Sequence, residues 1–175
     1  MSSQDIIKAI GTLFFFALLQ VLFVRNLVLF DIAFCFVYIL AIIWLPGELS
    51  TIWVILASFA LGLFIDMFYN TAGLHASACT FVGYFRKTLL RYFFPSRGIE
   101  NEIYVNIKKL GTQRYLIYVS IMVFIHCILL FFIEAGGIYM LGFTLLKIVA
   151  SFIFTVLVIY LISVFTANQS KEKSK

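Results

Sequence analysis

The feature that most constrains this chain is its long uncharged apolar runs. Residues 9–24 and 148–170 each pass without a single charged side chain, and both are built largely of Leu, Ile, Val, Phe and Ala. At about 1.5 Å of rise per residue, stretches of roughly 20 such residues cross the ~30 Å hydrocarbon core of a bilayer as helices. Further runs of the same kind lie between them, and the whole chain is 63% hydrophobic and 12% charged. Too little polar surface remains to coat one soluble core, so an all-α integral membrane protein is expected.

Punctuation between the runs predicts six spans in one domain, at about residues 6–24, 28–45, 52–69, 74–94, 115–133 and 138–166. Pro46-Gly47 stops the second, and Ser50 or Thr51 caps the third. The turn Asn70-Thr-Ala-Gly73 is so short that segments three and four must form an antiparallel hairpin. Segment four reaches full length only if Arg86, Lys87 and Arg91 snorkel to the headgroups while Leu89, Leu90, Phe93 and Phe94 stay in the acyl boundary. The polar stretch 95–114 is expected to be a cytoplasmic loop, with Ile99, Ile103, Ile107 and Leu110 spaced for a short surface helix, preferred over the strand that the alternation of Ile103, Val105 and Ile107 also allows. Residues 167–175 read as a disordered tail. Lys8 ahead of an apolar run has the outline of a signal peptide, but no small-x-small cleavage site follows. Of the 13 Lys and Arg residues, all but Arg25 and Lys147 fall on the side of the two termini. By the positive-inside rule that side is cytoplasmic.

The same distribution accounts for the net charge of +5 without nucleic acid, because the cations sit at segment ends rather than along a recognition surface. Cys35, Cys79 and Cys127 lie inside apolar runs without metal or disulfide spacing, and read as small buried side chains. No GxSxG, HExxH, P-loop or GxGxxG motif occurs, so no catalytic, cofactor-binding or metal-binding residues are assigned and no enzyme is expected.

What remains is a handful of ionisable groups at membrane depth. Asp66 stands about 22 Å along segment three, in the outer half of the core. Lys147 lies on the order of 12 Å below the outer face, with Asp31, His75 and Glu134 in or just above the same layer. A lone aspartate at mid-bilayer costs about 2.5–3.5 kcal/mol on insertion scales, which predicts that Asp66 faces the bundle and pairs with Lys147 or His75. His126, with no acid one turn away, is expected to be a hydrogen-bonded packing residue. Gly62, four residues before Asp66 on the same face, should let another helix approach closely, and Gly73 should supply a positive φ in the turn.

The run Gly62-Leu-Phe-Ile-Asp66-Met-Phe-Tyr-Asn70-Thr-Ala-Gly73-Leu74-His75-Ala76, followed by Gly83-Tyr84 and Arg86, resembles the central stretch of the rod shape-determining MreD family. Chain length, span number and the basic stretch after segment four are similar along nearly the whole chain. The resemblance implies a non-catalytic scaffold in the bacterial cytoplasmic membrane, part of the elongation machinery for lateral-wall peptidoglycan. Its implied partners are MreC, through that protein's transmembrane helix, and the wider complex of MreB, RodA and its transpeptidase partner, together with membrane lipids. Gly62, Asp66, Gly73 and His75 are the motif positions carried over. A six-helix chain of this size also resembles the S components of energy-coupling-factor vitamin transporters, and the resemblance implies a similar fold for MreD-like chains; the alternative expectation is therefore a substrate-binding transporter subunit. The short outer loops favour the scaffold over a subunit that caps a solute.

Overall fold

The structure, a computed structural model, describes residues 3–93, 107, 111–137 and 140–172, with side chains described through Ala167. It is a helical bundle threaded by one irregular segment. In chain order the elements are α1 (Ser3–Leu22), a 3-10 turn (Val24–Asn26), β1 (Val28–Leu29), β2 (Ala33–Phe34), α2 (Ile39–Ile43), α3 (Thr51–Tyr69), α4 (Leu74–Phe93), α5 (Thr112–Ala135) and α6 (Leu141–Glu172). Four of these, α1, α3, α5 and residues 141–167 of α6, are long and apolar enough to cross a membrane. The expected count of six such spans is therefore not met among the described residues.

Segment two is where the expectation fails. Instead of a helix over 28–45, the chain forms an antiparallel hairpin with Val28 opposite Phe34 and Leu29 opposite Ala33. It turns through Phe30 and Asp31 in the left-handed region, with φ of 55° and 56°. Cys35 and Phe36 follow without regular structure, and a turn at Val37 and Tyr38 leads into the single-turn helix α2. Every residue of α2 is fully buried, as are Val37 and Tyr38. Non-helical backbone at this depth needs hydrogen-bond partners from the surrounding protein, because an unpaired peptide group in hydrocarbon costs several kcal/mol.

Those partners come from α6 and α1. Ser151 and Thr155, one turn apart on α6, receive the Phe34 and Phe36 N–H groups at 2.9 and 3.1 Å. The same hydroxyls donate back to the carbonyls of Ile32 and Phe34, at 3.5 and 3.3 Å. The side-chain amide of Gln20 donates to the Cys35 carbonyl at 2.9 Å. Two hydroxyls on one helix face thus act as a neighbouring strand would. They belong to a single buried stripe, Thr144, Ile148, Ser151, Thr155, Ile159, Ser163 and Ala167, whose spacing of three and four keeps it on one side of α6.

Helix α4 also departs from expectation. It begins and ends as predicted but is not among the long apolar spans, and Arg86 does not snorkel outward. That guanidinium is 1% exposed. Its Nη2 donates to the Leu45 carbonyl and, at 3.4 Å, to the Ile43 carbonyl. A cation at the carbonyl end of α2 satisfies acceptors that a one-turn helix cannot pair internally. Lys87 and Arg91 remain partly or fully exposed.

The centre of the bundle is α5, which buries Tyr115, Tyr118, Val119, Met122, Val123, His126, Cys127, Leu130 and Phe131 in a helical stripe. The three cysteines are free and buried. At the other end of the chain, α6 stays helical through Glu172, well into the stretch expected to be a disordered tail. The expected surface helix over 95–114 falls mostly outside the described residues; its last residues, from Thr112, already belong to α5.

Candidate functional site: a polar corner between two helices

Helices α3 and α4 pack antiparallel along a seam of small residues. A Cβ built on Gly62 would stand 2.5 Å from both Ala76 Cα and the His75 carbonyl oxygen. One on Gly83 would stand 2.5 Å from Ser58 Oγ and 3.3 Å from the Val54 carbonyl. Contacts this close between backbones require the missing side chain, which is how glycine brings membrane helices together. The expected close approach at Gly62 is present, and the approaching helix is this chain's own α4.

At the top of the seam sits Asp66, 3% exposed. Its Oδ1 accepts the His75 N–H at 3.0 Å and the Thr71 hydroxyl; its Oδ2 accepts the Ala76 N–H at 2.8 Å. His75 and Ala76 are the second and third residues of α4, so the carboxylate satisfies donors that a helix start leaves without intrahelical partners. The negative charge also meets the positive end of the α4 dipole. The Asp66 carbonyl receives the Asn70 N–H and, at 3.1 Å, the Thr71 N–H. Asn70 itself is left-handed with φ of 55°, and Gly73 has φ of 84°. Gly73 therefore supplies the positive φ that the turn was expected to need.

The partner assignment for Asp66 changes accordingly. It meets the main chain of His75 rather than the imidazole, and Lys147 is elsewhere. The Lys147 ammonium pairs with Glu134 at 3.1 and 3.3 Å and lies 5.5–5.6 Å from the ring centres of Phe34, Phe131 and Phe143. Lys147 sits in α6 and Glu134 in α5, so this pair with its cation–π box ties those two helices together near their connection. Asp31 is exposed at the tip of the β-hairpin and joins neither group.

Behind the corner lies a second polar group that sequence reasoning did not assemble. The Tyr38 hydroxyl is 2.8 Å from His75 Nδ1 and 2.6 Å from His126 Nε2, all in the interior. One hydroxyl between two ring nitrogens donates to one and accepts from the other, so the tautomers of the two histidines are coupled. His126 Nδ1 has no hydrogen-bond partner. The arrangement that leaves there a lone pair rather than an N–H has His126 Nε2–H donating to Tyr38 and Tyr38 donating to His75 Nδ1. His126 is thus the hydrogen-bonded packing residue expected. Phe36 packs on the His126 ring at 5.1 Å, and Tyr69 on the His75 ring at 4.9 Å. Tyr69 in turn accepts from Gln20 at 2.8 Å and carries the Arg25 guanidinium 5.2 Å above its ring.

Gly62, Asp66, Gly73 and His75 therefore meet at one corner, and Lys147 does not. The residues missed were Tyr38, Gln20, Ser151, Thr155 and the inward turn of Arg86. The available signal was the spacing of Thr144, Ser151, Thr155 and Ser163 within an otherwise apolar helix, which marks one face as polar. Among the described residues no group of three or more His, Cys, Asp or Glu side chains is arranged to hold a metal ion.

These features define a helical membrane protein whose intramembrane polar groups are spent on joining segments to one another. Comparison with protein-family models, with curated proteins and with solved structures finds no match.

Proposed function

We propose that the protein is a non-catalytic scaffold of the MreD kind, a multi-pass component of the bacterial cytoplasmic membrane that binds MreC and supports lateral-wall peptidoglycan synthesis and cell shape. MreB, RodA and its transpeptidase partner form the wider complex. In this reading both termini are cytoplasmic, in keeping with the charge asymmetry. Chain segments 24–50 and α4 supply the two crossings beyond the four long apolar helices, which keeps the path of six crossings and its likeness to an S-component fold. The observation that carries the reading is the α3–α4 corner. The positions that resemble the MreD motif come together there, and the Asp66 carboxylate is consumed by the first turn of α4 rather than presented to a substrate.

The corner makes the hairpin a stiff wall. Because α4 fills the Gly62 side, a partner helix meets the outward side of α3, where Leu56, Leu63 and Met67 are exposed. Depletion of the protein from a rod-shaped host should give round cells, and cysteines at Leu63 or Met67 should cross-link to the MreC membrane helix. Retention of rod shape on depletion, with no MreC recovered from mild detergent, would overturn the proposal.

A further inference from the structure

Helix α1 is sparsely enclosed, burying only Ala9, Phe16, Ala17 and Gln20. Between it and the last turns of α6 runs a lateral groove of about 620 Å³, with Lys8 at one end and Leu19 at the other, and with Ile162 on the far wall. Its floor is the edge-to-face pair Phe16 and Trp44, with ring centres 5.5 Å apart. The indole N–H points inward to the Tyr115 hydroxyl at 3.2 Å, which leaves carbon toward the groove. Gly11 lines the near wall, and a Cβ there would meet nothing within 4 Å, so the groove stays open where most residues would narrow it.

The groove's polarity changes along its length. Lys8 is five residues from the start of α1, about 8 Å along its axis, where a helix that begins at the membrane surface passes the headgroups. From Lys8 to Leu19 the helix advances about 16 Å toward the bilayer centre. The hydroxyls at the Lys8 end, Thr12 and Thr166, donate to the carbonyls of Lys8 and Ile162, both at 2.8 Å. The exposed ammonium is therefore the charge that the groove offers a ligand. A cation at headgroup level continuing into an apolar trough complements an anionic headgroup with an attached acyl chain, one molecule supplying both the charge and the apolar length.

We infer that the groove between α1 and α6 is a binding site for one anionic phospholipid, its phosphate on Lys8 and one acyl chain laid over Phe16 and Trp44. The site does not depend on the scaffold reading. It makes the packing of α1 responsive to membrane charge, because the lipid bridges α1 to α6 where few side chains do.

The test is native mass spectrometry of the full-length protein in mild detergent, supplied with equal amounts of phosphatidylglycerol and phosphatidylethanolamine of matched chains. The parent should retain one lipid with a preference for phosphatidylglycerol. Lys8→Gln should lower that preference about fivefold, the effect of one basic residue at a membrane surface. Gly11→Leu should plug the trough and remove both adducts, while Gly142→Leu, at an equally open position on α6, should leave them. Unchanged selectivity in Lys8→Gln overturns the inference even if Gly11→Leu fails to fold. So does a groove that, in the parent, holds a co-purifying helix in place of lipid, seen as loss of that polypeptide in Gly11→Leu.

Discussion

Removing the Asp66 carboxylate probes the corner most directly. In Asp66→Ala the N–H groups of His75 and Ala76 lose their acceptor in a site that is 3% exposed at Asp66, and the Thr71 hydroxyl loses its partner too. A buried donor left unpaired costs about 1–3 kcal/mol, and bonds to a charged acceptor lie at the upper end. Water can reach Thr71, which is only partly buried, so the two backbone donors dominate and the expected loss is about 3–5 kcal/mol. Asp66→Asn keeps one acceptor oxygen but turns an amide N–H toward the other donor, for a loss of about 2 kcal/mol. At about 2–4 °C per kcal/mol for a chain of this size, the apparent Tm in detergent should fall by roughly 10 °C for Ala and half that for Asn. The same series separates this account from an ion pair. Because Lys147 pairs with Glu134, Asp66→Asn and Lys147→Met should add within about 0.5 kcal/mol. Substitutions within 2 °C of the parent, or strong non-additivity with Lys147→Met, would refute the reasoning.

Gly62→Ala should cost about 3 kcal/mol, since its Cβ meets α4 backbone 2.5 Å away and neither helix can yield locally; a melting curve like the parent's would mean the seam is looser than described. Tyr38→Phe keeps the ring packing but strips the hydroxyl between His75 and His126, for an expected loss of about 2–3 kcal/mol, read as the same Tm shift and as altered ring-proton shifts for both histidines. Ser151→Ala and Thr155→Val should each orphan one backbone N–H, of Phe34 and of Phe36, at about 1–2 kcal/mol apiece. Amide exchange at those residues should rise in both variants, and unchanged protection would show that the hydroxyls are incidental.

The sequence by itself determined that the chain is a helical membrane protein, where α1, α3, α4 and α5 begin and end to within a few residues, and that α3 and α4 form a hairpin. Those features follow from local rules: hydropathy over about 20 residues, breakers such as Pro46 and Gly47, and a turn too short for anything but an antiparallel return. The motif positions Gly62, Asp66, Gly73 and His75 were legible for the same reason, being close in sequence and joined through that turn. Only the tertiary structure decided the rest. Apart from Asp31, residues 28–45 are apolar or aromatic, so their pattern has no period that tells a buried helix from a buried strand. Their path was settled by Ser151 and Thr155, more than a hundred positions away, offering hydrogen bonds that a helix would otherwise have made for itself. Arg86 turned inward because the carbonyls of Ile43 and Leu45 wait for it at the end of α2. Lys147 pairs with Glu134, while Asp66 is held by the first turn of α4. Which polar groups meet across an apolar interior depends on helix rotation and neighbour order, and those are properties of the packed bundle, not of any one segment.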